Sequence, residues 1–231
     1  MKSRSWSFAA ALLAASATAT SAAAAAAAAA PEAGDIQIKA MATMVDVDGG
    51  ITSVVRDRIP LPARADTKAD TAYVPTVAAE YFVTPNISVE TYCCVSRHDV
   101  TGTGSVKGVR LIDNAEVIPA TVTLKYHFPL ENGVKPYVGA GGSYFIFFGE
   151  GLGAGARSLG ATRADLSNEL GAVIQAGIDV PLKGMPFGLS LDVKQYFIDT
   201  TARFDAGATT VLKTKHKLDP LVVSAGLAWR F

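Results

Sequence analysis

The sequence has few of the residues from which metal centres and disulfide scaffolds are built. Its 231 residues include only two cysteines, the adjacent Cys93 and Cys94, and three scattered histidines, His98, His127 and His216. Neighbours on a strand point to opposite faces, so a disulfide between the two cysteines would be strained and both are expected to be free. So few and scattered ligands predict no metal site and no cofactor.

An excess of charge and long apolar runs are also missing. The 21 basic residues balance the 21 acidic ones, so nothing indicates binding to nucleic acid. Beyond residue 30, no apolar run reaches the roughly 20 residues that a membrane-spanning helix needs. Apolar residues still make up 49% of the chain, so they must be distributed in short segments.

The start of the chain has the pattern of a secretory signal. Lys2 and Arg4 precede an apolar run from Trp6 to Ala19, and an Ala-rich stretch continues to Pro31. Residues 1–30 are therefore predicted to be a signal peptide with many candidate cleavage sites, and residues 31–231 the mature domain. A transmembrane helix is the competing interpretation, but the apolar run is short and no second span follows.

The end of the chain alternates between two kinds of side chain. Counting back in twos from Phe231 passes through Trp229, Leu227, Ala225 and Val223, whereas the other phase is mostly small or polar. This period of two predicts a strand with lipid on one side and a barrel lumen on the other. A carboxyl-terminal aromatic is typical of bacterial outer-membrane barrels, and the barrel-assembly machinery is expected to bind this last strand.

Seven further segments repeat the alternation, which makes eight strands in all. They cover about residues 35–44, 76–83, 86–96, 116–128, 135–148, 170–180 and 188–199. The predicted long connections are residues 45–75, 97–115, 149–169 and 200–217. Long connections alternate with short turns, as external loops do with periplasmic turns in such barrels. The sequence therefore predicts an all-β fold, an eight-stranded antiparallel transmembrane β-barrel of the outer membrane with both termini in the periplasm.

Several segments resemble the OmpW family of small outer-membrane proteins. They are residues 118–128 (IPATVTLKYHF), 136–141 (PYVGAG), 147–148 (FF), 178–182 (IDVPL), 198–202 (IDTTA) and 219–231. The sequence departs from the family at Ala120, where a second proline is usual, and at the Cys93–Cys94 pair. The resemblance implies an eight-stranded barrel associated with passage of small hydrophobic compounds across the outer membrane.

The inward phase of the strands divides into two sets. An eight-stranded barrel is filled by its own side chains or holds one small ligand, so a wide aqueous channel is excluded. The set toward the periplasm is charged and predicts an ion-paired plug: Lys39, Glu80, Glu90, Lys125, Asp192, Lys194 and Arg230, with His127 among them. The set toward the outside is expected either to line a ligand path or simply to pack a narrow core: Met41, Tyr92, Phe145, Phe147, Tyr196 and Ile198.

An apolar upper lumen above a charged lower one would admit an apolar molecule from outside and stop it further down. The exit would then be sideways, and Pro119 is the predicted lateral window because proline cannot donate to a strand ladder. The alternative is that Pro119 merely starts its strand below a loop.

The predicted function is therefore passive entry of small hydrophobic molecules, with lateral release into the membrane. The expected partners are outer-membrane lipid and these molecules. A surface receptor or structural barrel that acts through its external loops is the alternative. A hydrolase is a further candidate, because a nucleophile, a base and an acid lie close together in the sequence at Ser96, His98 and Asp99. Such residues are common in polar loops, so no enzyme is predicted.

Overall fold

The computed structural model describes residues 30–59 and 61–231, so the predicted signal peptide lies outside the described residues except for Ala30. Within the described part, no helix is both long enough and apolar enough to cross a membrane. The strands are β1 Ile36–Asp46, β2 Gly50–Asp57, β3 Ala65–Ala69, β4 Ala72–Thr84, β5 Ile87–Cys93, β6 Ser96–Gly104, β7 Arg110–His127, β8 Lys135–Phe148, β9 Gly151–Leu152, β10 Arg163–Leu166, β11 Glu169–Pro181, β12 Gly188–Phe197, β13 Asp199–Ala206, β14 Thr209–Lys217 and β15 Leu221–Arg230. A short helix, α1 Ala154–Ser158, lies between β9 and β10.

The strands close into an antiparallel barrel, which confirms the predicted fold class. The order around the ring is β1, β4, β5 with β6, β7, β8, β11, β12 and β15, and β15 pairs back to β1. Strands β5 and β6 occupy one position, so the ring has eight strands. The backbones of Ile36 and Phe231 exchange hydrogen bonds of 3.0 and 2.8 Å, so the two ends of the domain meet at the seam.

Successive residues of each strand face lipid and lumen in turn. In β7 the exposed fraction is 59% for Leu124 but 1% for its neighbour Lys125. Tyr81, Tyr126 and Phe128 are exposed near the periplasmic end, where an aromatic girdle is expected. The lipid-facing phase is apolar because no polar group can be hydrated there, whereas lumen side chains can bond to one another.

The predicted long connections contain regular secondary structure. Strands β10, β13, β14 and β2 form a separate four-stranded sheet in that order, and β3 pairs with β6 above the barrel. We call β2, β3, β9, α1, β10, β13, β14 and the outer halves of β6 and β7 the extracellular extension. Its strands satisfy backbone groups in ladders, although their sequences lack a continuous apolar phase.

Several predicted strand limits also change. The third strand, expected over residues 86–96, is interrupted, because β5 ends at Cys93 and β6 begins at Ser96. The fourth strand starts at Arg110 rather than near Glu116, so Pro119 lies inside β7 and not at its start. Both cysteines are free, with Cys93 exposed and Cys94 buried.

Candidate functional site

Seven charged side chains meet in the lower lumen, and we call them the lumen ion cluster. They are Lys39, Glu80, Glu90, Lys125, Asp179, Asp192 and Lys194. Lys125 Nζ lies 2.8 Å from Glu80 Oε2 and 2.9 Å from Glu90 Oε2. Lys194 Nζ lies 2.6 Å from Asp192 Oδ1 and 3.1 Å from Glu90 Oε1. These pairs are fully buried, so their charges are compensated by one another and not by water.

Neutral polar groups complete the cluster. Gln175 Nε2 donates to Glu90 at 2.8 Å and to Asp192 at 2.6 Å, and the Tyr137 hydroxyl donates to Asp192 at 2.8 Å. The Tyr137 ring centroid also lies 3.7 Å from Lys125 Nζ. Gln175, Tyr137 and Asp179 are not among the residues predicted for the ion-paired plug. Each lies in the lumen-facing phase of its strand, and this alternation is the sequence feature by which they could have been identified.

Arg230 is the one predicted member that lies outside the lumen ion cluster. The register pairs Lys39 with Ala228 and Gln37 with Arg230, so Arg230 is two residues nearer the periplasmic rim. There its Nε lies 3.3 Å from Asp35 Oδ2. His127 does belong beside the cluster, since its Nε2 is 2.8 Å from Glu80 Oε1.

Above the cluster the lumen contains an apolar cavity of about 60 Å³, the upper cavity. Four of the six predicted lining residues border it, namely Tyr92, Phe145, Phe147 and Tyr196. The other two, Met41 and Ile198, pack in the surrounding core. The Phe145 and Tyr196 rings meet edge to face at 5.3 Å, and Lys194 Nζ lies 4.6 Å from the Tyr92 ring centroid. The floor of the upper cavity is therefore the roof of the ion cluster.

The extracellular extension encloses a larger cavity of about 530 Å³, which we call the vestibule. Its wall is mainly apolar and includes Ile51, Leu61, Val109, Leu159, Phe204 and Leu212. Four residues line both the vestibule and the upper cavity, and we call them the apolar constriction: Ala69, Val100, Leu166 and Leu218. They come from β3, β6, β10 and the segment before β15, so they enclose the junction of the two cavities.

One buried histidine gives the vestibule a polar corner. His216 Nδ1 lies 3.1 Å from the Gly49 carbonyl oxygen, and Nε2 lies 2.6 Å from Thr214 Oγ1. Burial lowers the pKa of His216, and the hydrogen bond to Gly49 together with the charge of Asp66 only partly offsets this effect. The buried site therefore favours the neutral form of the His216 imidazole.

The barrel wall beside the upper cavity is interrupted. β5 pairs with β7 as far as Tyr92↔Thr121, and pairing resumes at Ser96↔Val117 without a change of register. By this register Cys94 lies opposite Pro119, and both residues line the upper cavity. Pro119 has no N–H, so it cannot bond across to this stretch.

The interruption is longer on the other side of the same stretch. β4 pairs with β5 as far as Val77↔Cys93, and backbone bonding resumes where Asp70 N donates to Asp99 O at 3.1 Å. β4 carries Pro75 two residues beyond its last pair, again without an N–H. Residues 94–98 therefore lack a ladder on the β4 side over roughly 16 Å of strand.

The Ser96, His98 and Asp99 group is only partly assembled. His98 Nε2 lies 3.0 Å from Ser96 Oγ, but His98 Nδ1 bonds to the Asp70 carbonyl oxygen at 2.7 Å. The Asp99 carboxylate instead accepts from the Asn114 backbone N–H at 2.8 Å, so it does not orient the imidazole. Within residues 30–59 and 61–231, no group of three or more His, Cys, Asp or Glu side chains is arranged to hold a metal ion.

Comparison with known proteins agrees with this architecture. A model of the OmpW family matches residues 32–231. "Uncharacterized outer-membrane protein y4mB" of Sinorhizobium fredii is 30% identical over 196 residues, which cover 85% of this chain and 79% of that protein. Outer membrane protein W of Vibrio cholerae is 26% identical over 203 residues, which cover 87% and 90%. The crystal structure of OprG from Pseudomonas aeruginosa matches with a TM-score of 0.75 and 25% identity, over 87% of this chain and 97% of that one. The chain therefore belongs to the OmpW family and is a β-barrel protein of the bacterial outer membrane.

Proposed function

We propose that this protein admits small hydrophobic molecules from outside the cell and releases them sideways into the outer membrane. One observation carries the proposal: two adjoining apolar cavities end on the lumen ion cluster, and the wall beside the inner cavity is interrupted. The route runs from the vestibule through the apolar constriction to the upper cavity, and then out past residues 94–98.

The lumen ion cluster acts in this proposal as a plug that blocks the direct route to the periplasm. An apolar molecule offers no hydrogen bonds, so passing the cluster would leave buried ammonium and carboxylate groups without partners. Each such loss costs several kcal/mol. A molecule that reaches the upper cavity therefore returns outward or leaves through the wall.

The apolar lining makes entry favourable without trapping the molecule. Transfer of a hydrocarbon from water gains about 0.8 kcal/mol per buried CH₂ group. The lipid interior offers the same gain, so the step from the cavities to the membrane is close to neutral and net flow follows the concentration gradient. The upper cavity of about 60 Å³ holds only part of a substrate, so Phe145 and Phe147 must move during passage.

The exit is proposed at Cys94 and Val95, where prolines flank the stretch on both sides. Pro119 on β7 and Pro75 on β4 cannot donate to it, so fewer backbone bonds hold the wall closed there. Val95 faces lipid, and Cys94 faces the cavity. A small outward movement of this stretch would join the upper cavity to the lipid.

The proposal is tested by uptake of a small apolar dye into proteoliposomes, with a polar sugar of similar size as the comparison. The variant Pro119→Val restores an N–H, and one net hydrogen bond of about 0.5–1.5 kcal/mol corresponds to roughly two- to twelve-fold slower opening. Pro136→Val is the matched control, since Pro136 also lies within a barrel strand but near the periplasmic end. We expect slower dye entry only for Pro119→Val.

Three outcomes would contradict the proposal. Unchanged dye entry in Pro119→Val at equal folded protein would remove the lateral exit. Entry of dye and sugar at similar rates would indicate an aqueous pore. Entry of neither would indicate a closed barrel whose role lies in the extracellular extension.

A further inference from the structure

The four-stranded sheet of the extracellular extension has two unlike faces. On β14, Thr214 and His216 line the vestibule. Because strand neighbours alternate, Lys213, Lys215 and Lys217 point to the outer face. The outer face thus carries a lysine at every second position of one strand.

Two further cations lie directly beside this row. Lys213 is opposite Arg203 on β13 and also opposite Arg56 on β2. Opposite side chains on neighbouring strands lie about 5 Å apart at Cβ, and like charges in such pairs destabilise a sheet. We call Arg56, Arg203, Lys213, Lys215 and Lys217 the basic face.

Protection of a sheet edge does not explain this arrangement. Lysines are often placed on edge strands, where they prevent pairing with another chain. β14 is an interior strand, with β13 on one side and β2 on the other. The repulsion across its centre therefore has another cause.

The basic face is neutralised unevenly. Arg203 and Lys217 bond to Asp205 and Asp219 at 3.2 and 2.9 Å, and Asp165 and Asp199 lie opposite them on neighbouring strands. Among the described residues, Arg56, Lys213 and Lys215 have no carboxylate within ion-pair distance, so the basic face keeps an excess of positive charge.

The position of the basic face relative to the membrane indicates its partner. Phe197, at the end of β12, is the last lipid-facing aromatic of its strand, and Asp199 two residues later lies opposite Lys217. At about 3.3 Å per residue, the lysine row begins roughly 7 Å beyond Phe197 and continues about 13 Å further. It therefore rises through the layer of lipid headgroups at the outer surface.

We propose that the basic face binds the phosphate groups of lipid A, the phosphorylated glycolipid of the outer leaflet. Lipid A carries two phosphates in this headgroup layer, and such anions bound at the far end of the row would relieve the repulsion between Lys213, Arg203 and Arg56. The site would hold the extracellular extension against the membrane surface. It is independent of whether molecules pass through the vestibule.

The test uses the folded mature barrel in zwitterionic detergent, titrated with bisphosphorylated lipid A and with enzymatically dephosphorylated lipid A. Bound lipid is counted by native mass spectrometry. One basic residue near an anionic lipid surface is worth about five-fold in affinity, so Lys213→Gln/Lys215→Gln should bind bisphosphorylated lipid A about 25-fold more weakly. Lys213→Arg/Lys215→Arg should bind like the wild type, and this variant separates lost charge from lost structure.

Lys107→Gln/Lys183→Gln is the matched control, because it removes two exposed lysines that lie away from the basic face. This control should keep wild-type binding. Equal affinity of the wild type for the two forms of lipid A would overturn the proposal, as would equal weakening in both Gln variants. Preference for a sulfated polysaccharide such as heparin over bisphosphorylated lipid A would also overturn it and would indicate a glycan partner.

Discussion

The Lys125 ammonium bridges Glu80 and Glu90 in the lumen ion cluster, and its removal should be among the most destabilising changes in the barrel. It bonds to Glu80 and Glu90 at 2.8 and 2.9 Å, and its side chain is 0% exposed. Lys125→Met keeps most of the volume but leaves the two carboxylates partly unpaired. Breaking a buried pair in this way costs about 3–5 kcal/mol.

The assay is guanidinium unfolding in detergent micelles, followed by the gel-mobility difference between folded and unfolded barrel. Arg97→Met is the control, because the Arg97 side chain of the Arg97–Glu116 ion pair is 70% exposed. Exposed pairs contribute about 0.2–1 kcal/mol. Lys125→Met combined with Glu90→Gln should cost less than the sum of the two single changes, since the second change removes a charge that the first left unpaired.

Two results would refute this reasoning. A loss for Lys125→Met no larger than that for Arg97→Met would show that water reaches the cluster and compensates its charges. A double variant that costs the full sum would show that Lys125 and Glu90 contribute independently. Either result would also remove the basis for treating the cluster as a plug.

Two further predictions concern the extracellular route. Ala69→Phe places a ring in the apolar constriction, so dye uptake should fall severalfold while lipid A binding stays unchanged; undiminished uptake would show that molecules bypass the constriction. Folding lowers the pKa of His216, so protonation of its imidazole favours the unfolded extension. The free energy of unfolding is therefore highest above the ordinary histidine pKa near 6.5 and declines as pH falls below that value. Limited proteolysis of the extension should therefore quicken at acidic pH in the wild type, and His216→Gln should weaken that dependence; an identical pH response in both proteins would contradict the assignment.

The barrel strands could be predicted because lipid and lumen select opposite kinds of side chain. The sequence alternates an apolar Leu124 with a charged Lys125, and in the structure the first faces lipid while the second is buried in the lumen. Period two assigns a residue to a face but not to a partner, since partners depend on the register between strands. The inward direction of Lys125 was therefore accessible, whereas its bonds to Glu80 and Glu90 were not.

The extension was hidden from the sequence, whereas the wall interruption was only partly accessible, through Pro119. In Lys213–Lys217 the outer face is charged and the inner face carries Thr214 and His216, so there is no apolar phase to recognise. Cys94 and Val95 are good strand residues by themselves. Their ladder is lost because of Pro119 and Pro75 on neighbouring strands, and such an effect is non-local.

The pairing of β1 with β15 closes the barrel, so assembly depends on the first and the last strand meeting. Because β15 pairs with β1 along its whole length, the ring cannot close until the last strand of the chain is available. Until then, two strand edges with unpaired backbone groups stay open to addition by other chains. The two edges that the chain must keep apart from other chains before assembly are therefore the first and the last strand of the barrel, which lie far apart in the sequence at Ile36–Asp46 and Leu221–Arg230.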